Sequence, residues 1–132
     1  MSERVLVCGG RNYNDYNRVK SVLNERHRTN QISVIISGMA RGADLLGVQW
    51  ANENNIDVDP YPADWDDLTQ PDALIVVRRN GTRYDLRAGF RRNQKMIDMG
   101  KPNIVIAFPG GSGTKDMMKR ADLANIRVIV IK

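Results

Sequence analysis

The sequence predicts an α/β fold, a three-layer sandwich around a mostly parallel sheet of about five strands. Three observations carry this expectation. Four apolar runs, 5–8, 32–36, 104–108 and 128–131, are continuous rather than alternating, as strands covered on both faces are. Helical stretches separate them, and strands that alternate with helices pair in parallel through right-handed crossovers. Glycine-containing turns follow three of the runs, where strand-to-helix connections belong.

The elements follow in order. After the first strand, 16–27 reads as a helix with Asp15 placed to cap it. The second strand leads to a helix over 43–54, with Leu45, Leu46, Val48, Gln49 and Ala51 at helical spacing. A weaker strand spans 56–60. The alternation then breaks. Residues 61–70 form an acidic loop among Pro60, Pro62 and Pro71. Asn80-Gly81 sits between β-prone runs, which predicts an inserted β-hairpin near 73–86. The other reading makes Leu74–Val77 a strand of the main sheet. A third helix, 86–99, stops at Gly100 before Pro102. The last helix, 114–124, places Met117, Met118, Ala121 and Ala124 on one face.

A chain of 132 residues reads as one domain, 1–132. Hydrophobic residues at 42% and charged residues at 27% argue against wholesale disorder. Cys8 is the only cysteine, so no internal disulfide forms, and a cytoplasmic protein is expected. One Cys and one His do not furnish a Cys/His zinc site, and nothing calls for a metal or cofactor. The apolar runs are far shorter than the roughly 20 residues that span a bilayer. MSERVLVCGG enters a strand pattern directly, so no signal peptide is expected.

The net charge of +5 is uneven. Residues 53–72 hold seven acids and no Lys or Arg, whereas 75–101 hold eight bases against Asp85 and Asp98. Such an excess points either to an anionic ligand or nucleic acid, or to an arginine-rich face paired with the acidic stretch beside it. The apolar hairpin residues Leu74, Ile75, Val76 and Val77 point to packing against a second subunit, a homodimer.

The turns carry the chemistry. They are Gly9-Gly10-Arg11, then Ser37-Gly38-Met39-Ala40-Arg41-Gly42-Ala43-Asp44, then Pro109-Gly110-Gly111-Ser112-Gly113-Thr114. In an open parallel sheet these lie at the carboxyl edge, where ligands bind. Glycine lets amides approach a ligand, and a helix start favours an anion. The third turn has the composition of a phosphate cradle, although it is neither a Walker A loop nor a G-x-G-x-x-G fingerprint. Arg11 is placed over the pocket. Arg41 pairs with a phosphate or clamps Asp44, and Asp44 binds ribose hydroxyls or simply begins a helix. Arg92 and Asn93 are functional or a solvated helix face. Trp65 stacks on a base or packs. His27 reads as a surface residue, Cys8 as a small core residue, and Met117 and Met118 as helix packing.

Together with Arg92, Asn93 and Met96 on the third helix, these turns resemble the SLOG superfamily, and within it the YspA-type, YpsA-related SLOG family common in phage and bacterial genomes. The resemblance implies a Rossmann-like fold binding a nucleotide or nucleotide-derived ligand, in a sensor or sequestering role, and host cytoplasm if the chain is phage-encoded. Lysine-decarboxylase-like phosphoribohydrolases, which release cytokinin bases, share the Pro-Gly-Gly-x-Gly-Thr turn and the arginine helix. That likeness would make Arg92 catalytic in hydrolysing a nucleoside 5′-monophosphate. The position of their catalytic glutamate is Met117 here, and Asp116 is the nearest carboxylate, either catalytic or a charge at a helix start. The DNA-processing protein A family shares a turn like the second one. That likeness implies single-stranded nucleic-acid binding, here through Arg78, Arg79, Arg83, Tyr84 and Arg87.

Overall fold

The computed structural model describes residues 2–132. Strand β1 (Glu3–Cys8) lies at the centre of a five-stranded sheet. On one side it pairs with β2 (Ile32–Ser37), which pairs in turn with β3 (Asp57–Pro60). On its other side lie β6 (Ile104–Ala107) and β7 (Arg127–Val130). All four pairings are parallel. The weak candidate at 56–60 is therefore an edge strand.

Four helices complete the three layers. Helices α1 (Tyr16–Thr29) and α2 (Ala43–Glu53) bury Val19, Leu23, Trp50 and Ala51 against Val5, Val7 and Ile35. On the opposite face, α3 (Ala88–Asp98) and α4 (Ser112–Leu123) bury Met96, Ile97, Met117 and Ala121 against Leu6, Cys8 and Val105. Successive β1 residues thus feed alternate cores, which is why that strand is apolar throughout. No helix among the described residues is long and apolar enough to cross a membrane.

The hairpin stands apart from the sheet. Strands β4 (Ile75–Val77) and β5 (Arg83–Asp85) pair antiparallel, with Val76 opposite Tyr84. Gly81 takes a φ of 86° in the connecting turn. This settles Leu74–Val77 as hairpin rather than main-sheet strand. Leu74, Ile75 and Val77 remain exposed. Helix α3 starts two residues later than expected because Leu86 N–H bonds back to Leu74 O and extends the hairpin pairing.

His27 corrects the surface reading. It is half-buried, and its ring meets Trp50 edge-on at 5.7 Å. Its Nδ1 accepts the Ile32 N–H at 2.9 Å. Sequence position at a helix end gave no hint of this, because Trp50 arrives from another helix.

Candidate functional site

The strand order reverses direction at β1: the chain first builds outward through β2 and β3, then crosses to β6 on the other side. A crevice opens at such a switch point, beyond the carboxyl ends of the two strands. Here the seam is closed by Gly10 N–H to Pro109 O at 2.8 Å and Phe108 N–H to Cys8 O at 2.8 Å. Ala43 N–H bonds Gly10 O at 3.1 Å and ties the second turn to the first. The three glycine turns therefore meet backbone to backbone.

A cavity of about 390 Å³ lies over them. Of the residues singled out in the sequence, Gly9, Gly10, Arg11, Asp44, Arg92, Asn93, Gly111, Ser112, Gly113 and Thr114 line it. A wider and more open depression of about 690 Å³ follows the outer side of α3, but no glycine turn reaches it.

One wall is the start of α4. Its N-cap, Gly111, offers no side-chain cap. Lys115 N–H to Gly111 O, at 3.1 Å, is the first bond of the helix. The amides of Ser112, Gly113 and Thr114 therefore have no partner within it. Free amides and the positive end of the helix dipole favour an anion there.

The charged groups come from α2, α3 and the first turn. Asp44 is 6% exposed and is the single carboxylate lining the cavity. Its Oδ2 accepts one long bond, from Ala40 N–H at 3.3 Å. Burial pushes its carboxyl up to about 6, against the opposing pull of Arg92, the Ala40 amide and Arg11. Arg92 donates Nη1 to Gly38 O at 2.6 Å and Nε to Asn93 Oδ1 at 3.0 Å. Burial lowers its guanidinium from the usual range, and Asp44 works against that. A Cβ on Gly38 would come within 2.6 Å of Arg92 Nη1 and 2.9 Å of Asp44 Oδ2. A side chain there would displace both charged ends from the turn. Burial raises the Cys8 thiol well above its ordinary range, so this cavity-lining sulfur is no nucleophile at neutral pH.

Asp44 gives a stability prediction. Its folded-state pKa lies above the unfolded value, so between about pH 4 and 6 the folded chain holds more protons. Stability then declines as pH rises through that window. D44N removes the cost of the buried charge. It is expected to raise stability at pH 7 by up to about 3 kcal/mol, with no gain below pH 4. Melting curves at the two pH values check this; an unchanged or lower Tm at pH 7 would overturn it.

Ser37, Gly38, Arg41, Gly42, Pro109, Gly110 and Asp116 sit around the cavity without lining it. Ser37 is buried, and its Oγ accepts Met39 N–H at 3.0 Å. Gly38 lies behind Arg92. Arg41 is exposed and makes no ion pair with Asp44. Gly42, Pro109 and Gly110 carry the backbone of the turns. Asp116 is held by Asn93 Nδ2 at 3.0 Å and Arg120 Nε at 2.8 Å, outside the cavity lining. Met117, which replaces the glutamate of the resembling hydrolases, is fully buried and touches the cavity.

The walls also contain Trp65, Tyr84, Leu86, Gly89 and Phe90. Of these, only Trp65 is by itself a ligand candidate in the sequence. An aromatic within an acidic loop was the available signal. Further out, the basic stretch is partly neutralised. Arg78 pairs with Asp66 at 3.5 Å, and Arg91 pairs with Asp72 at 2.6 Å and with Asp85.

Two comparisons with known proteins bear on this arrangement. The family model described as "YspA, cpYpsA-related SLOG family" matches residues 3–67, the stretch that carries the first two glycine turns, Asp44 and Trp65. The Gene 61 protein of Mycobacterium phage D29 is 32% identical over 134 residues, covering 96% of this chain and 94% of that protein. Motif order, sheet topology and both likenesses agree: the chain belongs to the YspA, cpYpsA-related SLOG family.

Proposed function

We propose that the cavity binds a nucleotide or nucleotide-derived ligand, in a sensing or sequestering role in the cytoplasm. The observation that carries this reading is the uncapped start of α4, whose free amides face the same cavity as Arg11 and Arg92. The phosphate sits on Gly111–Thr114 with the two arginines supplying charge, and Asp44 accepts from ribose hydroxyls. At about 390 Å³ the cavity falls near the lower end of the roughly 300–1,000 Å³ typical of small-molecule sites. That size favours a mononucleotide over a dinucleotide. The reading includes a homodimer through the exposed hairpin residues Leu74, Ile75 and Val77.

A nucleotide panel read by thermal shift tests it. A ligand at about 100 times its Kd should add roughly 2.7 kcal/mol. Arg11 is exposed, so R11A should leave the ligand-free Tm in place and reduce the shift. No shift with any nucleotide would sink the proposal.

A second reading is hydrolysis of a nucleoside 5′-monophosphate to base and ribose 5-phosphate. What favours it is a buried carboxylate, Asp44, near Arg92. Such a carboxylate can take a proton from the attacking water. Asp116 is a weaker candidate for that role, being engaged by Asn93 and Arg120. Mass spectrometry of the same samples separates the readings: free base that disappears in D44N and R92A supports hydrolysis, and intact retained ligand supports binding alone. Nucleic-acid binding through Arg78, Arg79, Arg83, Tyr84 and Arg87 is less favoured, since Arg78 already pairs with Asp66 and only Tyr84 of the five lines the cavity.

A further inference from the structure

We propose that the indole of Trp65 is the surface on which the ligand's base stacks, an inference that rests on the nucleotide reading above. Trp65 lies in the acidic loop between β3 and β4, far from the phosphate turns in sequence, yet it lines the same cavity. Its backbone is fixed, because Asp85 N–H bonds Trp65 O at 2.7 Å. Its ring is fixed as well. Tyr84 meets it edge-on, with centroids 6.2 Å apart at 70°. Gly89, in the first turn of α3, leaves the space that the ring fills: a Cβ there would lie 2.9 Å from Trp65 Cη2.

The indole is half-buried and lines the cavity. Over the ring lies the Arg11 guanidinium, 5.0 Å from the centroid. Arg11 is exposed and comes from the first glycine turn, lining the same cavity. A planar delocalised cation and a planar heterocycle both suit an indole face. A base entering there displaces the guanidinium, which moves onto the phosphate that needs its charge. Trp65 then selects for a ring, and the α4 start selects for a phosphate.

The test uses the full chain, the four ribonucleoside 5′-monophosphates and ribose 5-phosphate. The sequence has two tryptophans, and Trp50 is fully buried with its Nε1 bonded to Asn24 at 2.8 Å. A ligand-dependent change in emission therefore reports Trp65. At least one mononucleotide should bind tighter than ribose 5-phosphate and change that emission. W65A should weaken that mononucleotide by about tenfold or more and leave ribose 5-phosphate unchanged. W65F should restore most of the difference. Three results overturn the inference: W65A binding the mononucleotide like the parent, W65A weakening both ligands equally, or the parent preferring no mononucleotide over ribose 5-phosphate. In the last case the phosphate reading survives. Binding of neither ligand by the parent removes both readings.

Discussion

Gly42→Ala is expected to lower stability by about 3 kcal/mol, through backbone strain and overpacking together. Gly42 caps α2 with φ 86° and ψ −136°, a region closed to side chains. The obstruction is also direct. A Cβ there would lie 2.2 Å from Gly10 O and 2.7 Å from the Arg11 carbonyl carbon. Neither atom is the end of a flexible side chain, so the first two turns must separate to admit it. At this chain length such a loss corresponds to a fall in Tm of roughly 10 °C. Gly111→Ala is the control, because a Cβ there meets nothing within 4 Å. Thermal melts of the two variants decide the matter, and a G42A protein within a degree or two of the parent would show that the turns are not interlocked.

Asp85→Ala is expected to release the hairpin. The Asp85 carboxylate is fully buried and accepts from Leu74 N–H at 3.0 Å, Arg87 N–H at 2.9 Å and the Arg91 guanidinium. It therefore clasps β4, the start of α3 and a charged side chain at once. Its removal leaves two amides without their acceptor and Arg91 with Asp72 alone, a change among the more costly in proteins. Amide exchange across β4 and β5 should accelerate on the order of a hundredfold, with the five-stranded sheet less affected. The parent carries a matching pH signature. Burial pushes this carboxyl up, but the three hydrogen bonds outweigh it and hold its pKa below the ordinary value. A depressed folded-state pKa means the contribution is complete above the ordinary carboxylate range and fades as pH falls through the folded value. D85A should lack that part of the acid sensitivity; equal acid profiles would refute the assignment.

The sheet was legible in the sequence because burial on both faces writes continuous apolar runs, as in β1, β2 and β6. The hairpin was legible from Asn80-Gly81, whose chemistry is local. The glycine turns pointed to the right edge because strand-to-helix connections in a parallel sheet share one end. The Trp65 wall was less so. Trp65, Tyr84 and Arg11 meet only after the hairpin folds back onto the first turn, and no periodicity records a contact between residues 11 and 65. The choice among carboxylates was equally hidden. Asp116 lies close to the motif in sequence, yet α4 turns it toward Arg120, while Asp44 reaches the cavity from α2.

The parallel seam between β1 and β6 also sets when the site can exist. Val5 pairs with Ile104 and Cys8 with Ala107, so the cavity floor joins segments about a hundred residues apart in the chain. Such long-range closure comes slowly, after the entropy of a large loop has been lost. On the proposed reading, no ligand is captured during synthesis until β6 has emerged and docked. A ligand held as proposed would bridge the seam itself and act as a brake on unfolding, with occupancy lengthening the lifetime of the native state.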